Sequence, residues 1–598
     1  MTSKPLPIQL RKNAYRPLAV QNQGARLSAL LAKGLDLHQG NDLFSAREAY
    51  AAILNEVPSH FDALHLMGVA YAQSRDFSLA VDFLSKAVVI KKSHAVAHNN
   101  LGSALAELND WSAAISSYDR ALKIDPNYAM AYFNRGVAQE KLRKLDAGLD
   151  SYQKSIRLNP GDAKAQSNCG LLLQALGRVD EALDCFDYAI KADPGYVAAY
   201  SNRGNLYREL NRYAESIVDF DKAIAIDGNF VEAYSNRGNL YRELNRYAES
   251  IVDFDKAIAI DGNFANAHWN KSLTYLFMGK WGSAWDLYPW RWSRSDAGWE
   301  NPKLPLLADR FQRAENRPAE RRVLVWAEQG VGDEIFHASM FAQAAEHFGS
   351  VTIQVDKRLL AVMERSVRGA VFIDKSVPVD MDRFDVHLAH GDLGYFFRRN
   401  AQDFHYIEYR YLQPDVSRAN TVLSDLKTTA SFLCGITWQS NNKRLGSKKS
   451  IELEQLLPIL RNPALSFVNL QYGDTSDEVA AFTAKHGVEI INCPSVDNFS
   501  DIDGHAALIA ACDFVLTVSN STAHLAGALG KKTLLMLSRG DGRLWYWANR
   551  DGDQSLWYPA IRIYEQRQCG EWGDVISYVS KIIDREYPGN ESDIRGGV

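Results

Sequence analysis

Cysteine is scarce: there are six in 598 residues, none in a CxxC pair, so neither a disulfide framework nor a zinc ribbon organises this chain. A long apolar run is also missing, so no bilayer-spanning segment is expected. Charge of one sign is missing as well. With 67 basic and 72 acidic side chains the net charge is −5, which excludes bulk binding to nucleic acid or to a membrane surface. No glycine-rich turn runs into GK[ST], so the chain has no phosphate loop of the Walker type. The first residues, MTSKPLPIQLRKNAYRPLAV, hold no apolar stretch of secretory length, so the expected location is cytoplasmic. What is present is 46% apolar residues, enough for a packed core. At roughly 100–200 residues per domain, the length fits about three to five domains or a long repeat array.

The first half repeats itself. Residues 199–230 and 233–264 are identical, and weaker copies with the same period of 34 begin near 27, 61, 95, 129, 163, 197, 231 and 265. Position 8 of the repeat is glycine at Gly34, Gly68, Gly102, Gly136, Gly170, Gly204 and Gly238. Position 24 is large, as at Tyr50, Leu84, Tyr118, Tyr152, Phe186, Phe220, Phe254 and Tyr288. Proline follows at Pro58, Pro126, Pro160 and Pro194. A small residue lets two helices approach, a large one fills the groove between them, and proline ends the second helix. This pattern resembles the tetratricopeptide repeat (TPR). It implies eight helix hairpins stacked into an α solenoid, a superhelix with a concave groove.

Position 6, on the first helix, is asparagine in six successive repeats: Asn100, Asn134, Asn168, Asn202, Asn236 and Asn270. An amide carries both donor and acceptor, so a ladder of them can grip an extended peptide by its backbone. The ladder resembles that of the O-GlcNAc transferase repeats. The competing reading is repeat consensus spread by duplication. Arg135, Arg203, Arg237 and Lys271 at position 7 either add positive charge or simply face solvent. The last repeat is dense in tryptophan (Trp269, Trp281, Trp285, Trp290, Trp292), which reads as a hydrophobic dock for the next domain or as a sugar-stacking platform.

After a polar stretch the period changes. Short β-rich runs at Val323–Trp326, Val351–Val355, Ala370–Ile373 and Val386–Leu388 alternate with helical segments. A second series follows at Leu433–Thr437, Phe467–Leu470, Glu489–Ile491, Phe514–Val518 and Thr533–Leu537. Strands alternating with helices imply parallel sheets, here two Rossmann-like halves. The division expected is 1–26 as an extension, 27–294 as eight repeats, 295–320 as a linker, 321–425 and 426–570 as the two halves, and 571–598 as a final helix and tail. The stretch Val575–Asp584 reads as a final helix, which in folds of two such halves can cross back onto the first half.

Ligands of such sheets lie beyond the carboxyl ends of the strands, and the motifs fall there. After the first strand stands Glu328-Gln329-Gly330-Val331-Gly332-Asp333-Glu334-Ile335-Phe336-His337. Two glycines allow a tight turn, and Asp333 either points into the cleft or only opens the helix. After Phe514–Val518 comes Ser519-Asn520-Ser521-Thr522-Ala523-His524, whose hydroxyls and helix N-terminus offer a phosphate site; the bland alternative is a cap with a buried histidine. After Leu433–Thr437 comes Gln439 and a loop with Lys443, Arg444, Lys448 and Lys449, suited to neutralising phosphate or merely solvated. Asp503 either contacts a donor or caps the helix that follows. Asp-x-Asp triplets (Asp219/Asp221, Asp380/Asp382, Asp501/Asp503) are too common in an acidic chain to mark a metal, and none is assigned.

GVGDEIFH, the basic loop and SNSTAHLAGALG, in that order over about 321–570, resemble the heptosyltransferase-type glycosyltransferases of GT-B fold. The whole chain resembles bacterial TPR-linked glycosyltransferases that modify flagellins and other proteins, and its architecture is similar to O-GlcNAc transferase. The resemblance implies an α solenoid followed by an α/β GT-B fold. It further implies inverting transfer with Asp333 as base, and an acceptor-side loop containing Gly330, Gly332, Glu334 and His337. Donor contacts would come from Ser519, Asn520, Ser521, Thr522, His524, Lys448, Lys449, Gln439 and Asp503. One departure stands out: heptosyltransferases carry aspartate where this chain has Ser519, so the sugar does not carry over. The activity expected is metal-independent O-glycosylation of Ser or Thr on a protein held by the repeats, flagellin being the suspected acceptor. No cofactor is expected to be tightly bound; the nucleotide sugar is a co-substrate, with CMP-nonulosonic acid, UDP-sugars and GDP-sugars all open. The alternatives are a lipid-linked or polysaccharide acceptor, or a non-catalytic adaptor.

Overall fold

The computed structural model describes residues 22–294, 310–406, 409–426, 431–442, 445–548 and 550–588. Most of the expected extension and linker, Lys443, Arg444 and the last ten residues lie outside these. The chain divides into two compact units, Met1–Asn236 and Arg237–Val598.

The first unit is a stack of helix hairpins, beginning with Asn22–Gln39 and Leu43–Glu56 and repeating through Val197–Glu209 and Tyr213–Ile226. Its period has steric causes. A Cβ added at Gly102 would stand 2.6 Å from the Tyr118 ring, at Gly136 2.8 Å from Tyr152, and at Gly170 2.7 Å from Phe186. Position 8 must therefore be bare for position 24 to seat, since a packed interior cannot absorb the extra carbon. Between the helices of each hairpin one residue takes positive φ: Asn41, Arg75, Asn109, Arg143, Gly177 and Asn211, again 34 apart. That left-handed residue closes the first helix and turns the chain into the second.

The second unit begins with the last repeats, ending in Ala265–Phe277, Trp281–Leu287 and the 3-10 turn Tyr288–Ser293. Two sheets follow. The first holds β1 (Arg322–Trp326), β2 (Ser350–Val355), β3 (Ala370–Asp374) and β4 (Val386–Ala389), all parallel, in the order β3-β2-β1-β4. The second holds β5 (Phe432–Ile436), β6 (Leu465–Asn469), β7 (Ile490–Ile491), β8 (Phe514–Val518), β9 (Thr533–Leu537), β10 (Arg550–Asp551), β11 (Gln554–Ser555) and β12 (Ile561–Glu565). Their order is β10-β11-β12-β9-β8-β5-β6-β7, parallel except for the β10–β11 and β11–β12 pairings. β8 and β9 are buried at every residue, as strands covered on both faces must be.

Strand order fixes where a ligand would sit. In each sheet the chain winds outward, returns, and continues on the other side. That reversal falls between β1 and β4 in the first sheet and between β5 and β8 in the second. Such a switch point leaves a crevice at the carboxyl ends of the strands.

Two expectations change. The final helix, Gly573–Glu586, does not cross to the first sheet: Val575, Ile576, Val579, Ile582 and Ile583 are buried with Cys434, Ile436 and Phe514 of the second. Its apolar stripe already has a local partner beside β9 and β12, so no crossing is needed. The helix Val416–Asp425 falls within the segment assigned to the first half, yet it packs on the helix Ile502–Ala511 of the second. The aromatic repeat is a dock. Trp281 and Trp285 are buried, the Trp285 indole donates to the Arg398 carbonyl at 2.7 Å, and Trp281 packs against Phe404 and Trp557.

Candidate functional site

The turn after β1 and the helix after β8 meet, although nearly two hundred residues separate them in sequence. A Cβ on Gly332 would lie 3.3 Å from the His524 ring and 3.6 Å from the Ser521 Cα, so glycine is what lets the two helix starts approach. Asp333 opens the helix Val331–His337 at this meeting point. It is half-buried: solvent reaches part of the residue while protein surrounds the carboxyl group. Desolvation, then the nearby Glu328 charge, push Asp333 up to about 6, against the pull of Lys449. With its NH2 turned towards Asp333, the Gln329 amide donates to both carboxylate oxygens, at 3.0 and 3.3 Å.

Lys449, at the end of the short helix Gly446–Lys449 beyond β5, is 4% exposed and has no ion-pair partner among the described residues. Desolvation brings it down to about 8, with Asp333 holding it up. Lys448 is exposed. Beside Lys449 the Ser538 hydroxyl, buried at the end of β9, lacks a hydrogen-bond partner among the described residues. A Cβ on Gly542 would collide with that hydroxyl and lie 3.5 Å from the Lys449 chain.

The serine-rich turn divides between support and opening. Asn520 caps its helix by accepting from the Ala523 N–H at 3.1 Å, and its Nδ2 donates to the Thr437 hydroxyl and the Gln439 carbonyl across the switch point. Thr522 is buried against His505, and Ser519 accepts from the Trp547 indole at 3.0 Å. Ser521 alone of the four stays half-buried, facing Gly332. His524 does not add positive charge. Desolvation, then Lys449, bring it down to about 3, so it is neutral, with Nδ1 at 2.7 Å from the Tyr558 hydroxyl. Tyr546, Trp547 and Tyr558 surround its ring.

Other expected residues have structural partners. The Gln439 amide donates to Glu478, and Glu334 is buried against Lys375 at 2.7 Å. Asp503 does not cap its helix. Asp501 is the cap, and Asp503 forms a two-armed pair with Arg365, at 2.8 and 2.9 Å. His337 is buried behind Asp333, and burial pulls it well below its usual value.

The asparagines of the array carry a different message. Nδ2 of Asn134 reaches back one repeat to Asn99 at 3.1 Å, that of Asn202 to Ser167 at 3.0 Å, and that of Asn236 to Ser201 at 3.2 Å; Asn100 likewise meets His65 at 3.0 Å. Position 6 of one repeat thus binds position 5 of the one before. Where position 5 is Phe133, which cannot accept, Asn168 instead lies beside Tyr152. Asn270 accepts from Arg242 through its carbonyl and side-chain oxygens. These bonds tie successive repeats together. The basic residues of position 7 are likewise matched: Arg135 with Asp119, Arg203 with Asp187 and Asp219, Arg237 with Asp253, and Lys271 with Asp255.

One cluster was not legible in the sequence. Arg291, at the end of the last repeat, is fully buried. It binds Glu328 at 2.8 and 3.2 Å and Asp392 at 2.8 Å, while Arg310 reaches Asp392 at 3.1 Å. Two cations and two anions balance, as burial requires. No local motif marks partners that are 37 to 101 residues apart.

Comparison with known proteins agrees with the repeat array. Tetratricopeptide repeat models match residues 31–95, 129–162 and 231–264, and a TPR repeat model matches 102–142 and 204–242. The chain is similar to protein FlbA of Caulobacter vibrioides, 30% identical over 330 residues, covering 52% of this chain and 53% of that protein. The match therefore spans about half the length of this curated relative. Among solved structures, MamA is 28% identical over 27% of this chain and 94% of its own, with a TM-score of 0.26. YrrB, described as a TPR protein with an unusual peptide-binding site, is 24% identical over 31% of this chain and 96% of its own, with a TM-score of 0.28. The chain carries tetratricopeptide repeats, followed by α/β layers with parallel sheets, and TPR domains commonly bind peptide or protein partners. No helix among the described residues is long and apolar enough to cross a membrane.

Proposed function

We propose that the α/β layers are a GT-B glycosyltransferase that moves a sugar from a nucleotide donor to a Ser or Thr hydroxyl of a protein acceptor. One observation carries this reading: a carboxylate of raised basicity, Asp333, faces a buried lysine without a counter-ion, Lys449, where two switch-point crevices meet. A buried ammonium is costly without an anion, and a donor phosphate supplies one. In the reaction Asp333 takes the acceptor hydroxyl proton, the acceptor oxygen attacks the anomeric carbon, and the bond from that carbon to the phosphate oxygen breaks. Lys449 and the helix start at Ser521 receive the leaving phosphate. The neutral His524 holds the wall of the recess with Tyr558. The repeats bring the protein acceptor; flagellin is the first to test and a CMP-linked nonulosonic acid the first donor, ahead of UDP- and GDP-sugars.

The test is the intact mass of flagellin from cells carrying the native chain or Asp333→Ala. A difference in whole sugar units supports the reading. Equal masses remove flagellin as acceptor, and a screen of nucleotide sugars for binding to the purified chain then separates a transferase for another acceptor from an adaptor that binds none.

A further inference from the structure

We propose that Arg291, supplied by the end of the last repeat, acts on Asp333 through Glu328, so that this repeat is a working part of the site. The inference rests on the reading of Asp333 as the base. Its geometry is a chain of contacts. Arg291 grips both oxygens of Glu328, whose Oε1 also accepts the Gly391 N–H at 2.6 Å. Glu328 precedes Gln329, whose amide bonds both oxygens of Asp333. The first residue of the turn is therefore clamped from the repeat side, and the carboxylate at its far end is held by the neighbour of the clamped residue. There is no room for a looser fit: a Cβ on Gly391 would stand 2.5 Å from Glu328 Oε1 and 2.9 Å from the Tyr288 ring.

The clamp also sets charge. Glu328 is a buried anion beside Asp333, so it makes the second anion harder to form. Arg291 lets Glu328 stay ionised where burial opposes it. The other groups facing Asp333 are Glu334 on its own helix, Lys449 beyond β5, Tyr288 of the last repeat, and Tyr546 and Tyr558 beyond β9. The tyrosines are neutral, since burial raises each of them, and His337 and His524 are neutral because burial lowers both. Among these groups Lys449 favours the anion of Asp333, while Glu328, first, and Glu334 oppose it. Arg291 and Glu328 are thus positioning residues, with no contact to substrate required of them.

The experiment reads Asp333 directly. Infrared difference spectra of the full chain against Asp333→Asn, followed over pH, isolate the C=O band of its protonated carboxyl. In Glu328→Gln the midpoint of that band should fall by about one unit, roughly tenfold in proton affinity. In Arg291→Gln a second carboxyl band should appear near neutrality, and it should be missing from Arg291→Gln/Glu328→Gln. The double variant keeps the buried charges balanced through Arg310 and Asp392. If Glu328→Gln fails to fold, the same fall in the double variant carries the test. An Asp333 midpoint unchanged in every folded variant overturns the inference. Transfer rates measured in parallel separate the two ideas. A shifted midpoint with no transfer by the native chain at any pH sinks the base role alone. Transfer with an acid limb near pH 6, but a midpoint unmoved by Glu328→Gln, sinks the inference alone.

Discussion

The repeat array and the recess around Asp333 in the α/β layers treat charge in opposite ways. In the array the position-7 cations Arg135, Arg203, Arg237 and Lys271 are matched. Arg203 lies between Asp187 and Asp219, and Arg237 binds Asp253 with two arms, at 2.8 and 2.7 Å. In the α/β layers Lys449 is buried without such a partner, and Asp333 is held near neutrality by its surroundings. Pairs that satisfy each other build architecture. Groups left unsatisfied keep their free energy for a ligand or a reaction.

The comparison breaks first at Asp333. Asp333→Asn should lower transfer by about 10²–10⁴-fold, the usual weight of a positioned base, with donor affinity held within a few-fold. Donor titration by calorimetry beside the rate assay checks this, and lost affinity would move Asp333 to a binding role. Lys449→Met should weaken donor binding by about tenfold or more while leaving the melting temperature level or higher, because an uncompensated buried ammonium opposes folding. A large drop in melting temperature would instead make Lys449 a structural residue.

Next is the pH profile of kcat/KM. Asp333 must lose its proton and Lys449 must keep its own. Activity should therefore rise through about pH 6 and fall through about pH 8, and Lys449→Met should remove the alkaline limb. A limb that survives that substitution belongs to another group.

The array gives the smaller effects. Gly102→Ala drives a carbon to 2.6 Å from Tyr118 and should cost about 1–3 kcal/mol by denaturant unfolding, with donor affinity unchanged. Asn202→Ala deletes one bond between repeats and should cost about 1 kcal/mol. Replacing Asn168, Asn202 and Asn236 together separates their two readings. A lowered melting temperature with an unchanged acceptor KM makes them staples; a raised KM at unchanged stability returns them to a peptide groove.

Period and pattern were legible because their causes are local. The spacing of Gly102 and Tyr118 is a contact between two helices of one hairpin, so it recurs in sequence wherever it recurs in space. Strand positions were legible for the same reason: Arg322–Trp326 and Phe514–Val518 differ from their sequence estimates by one residue at most. Asp333 and Ser521 were visible because turns after strands use few residue types. Partners were not visible. Asn134 looks as suited to a peptide as to Asn99, and Asp503 gives no sign that it will meet Arg365, 138 residues away.

The sequence by itself determined the repeats, the parallel strands of the two sheets up to β9 and the loops at their carboxyl ends, since these follow from propensity, steric fit and the alternation of strand and helix. Tertiary structure alone decided which polar groups are consumed and which are left. It brought Arg291 to Glu328, paired the position-7 cations, neutralised His524 by burial and left Lys449 beside Asp333. Those outcomes depend on desolvation and on distances between residues far apart in the chain, and neither quantity exists until the chain has folded.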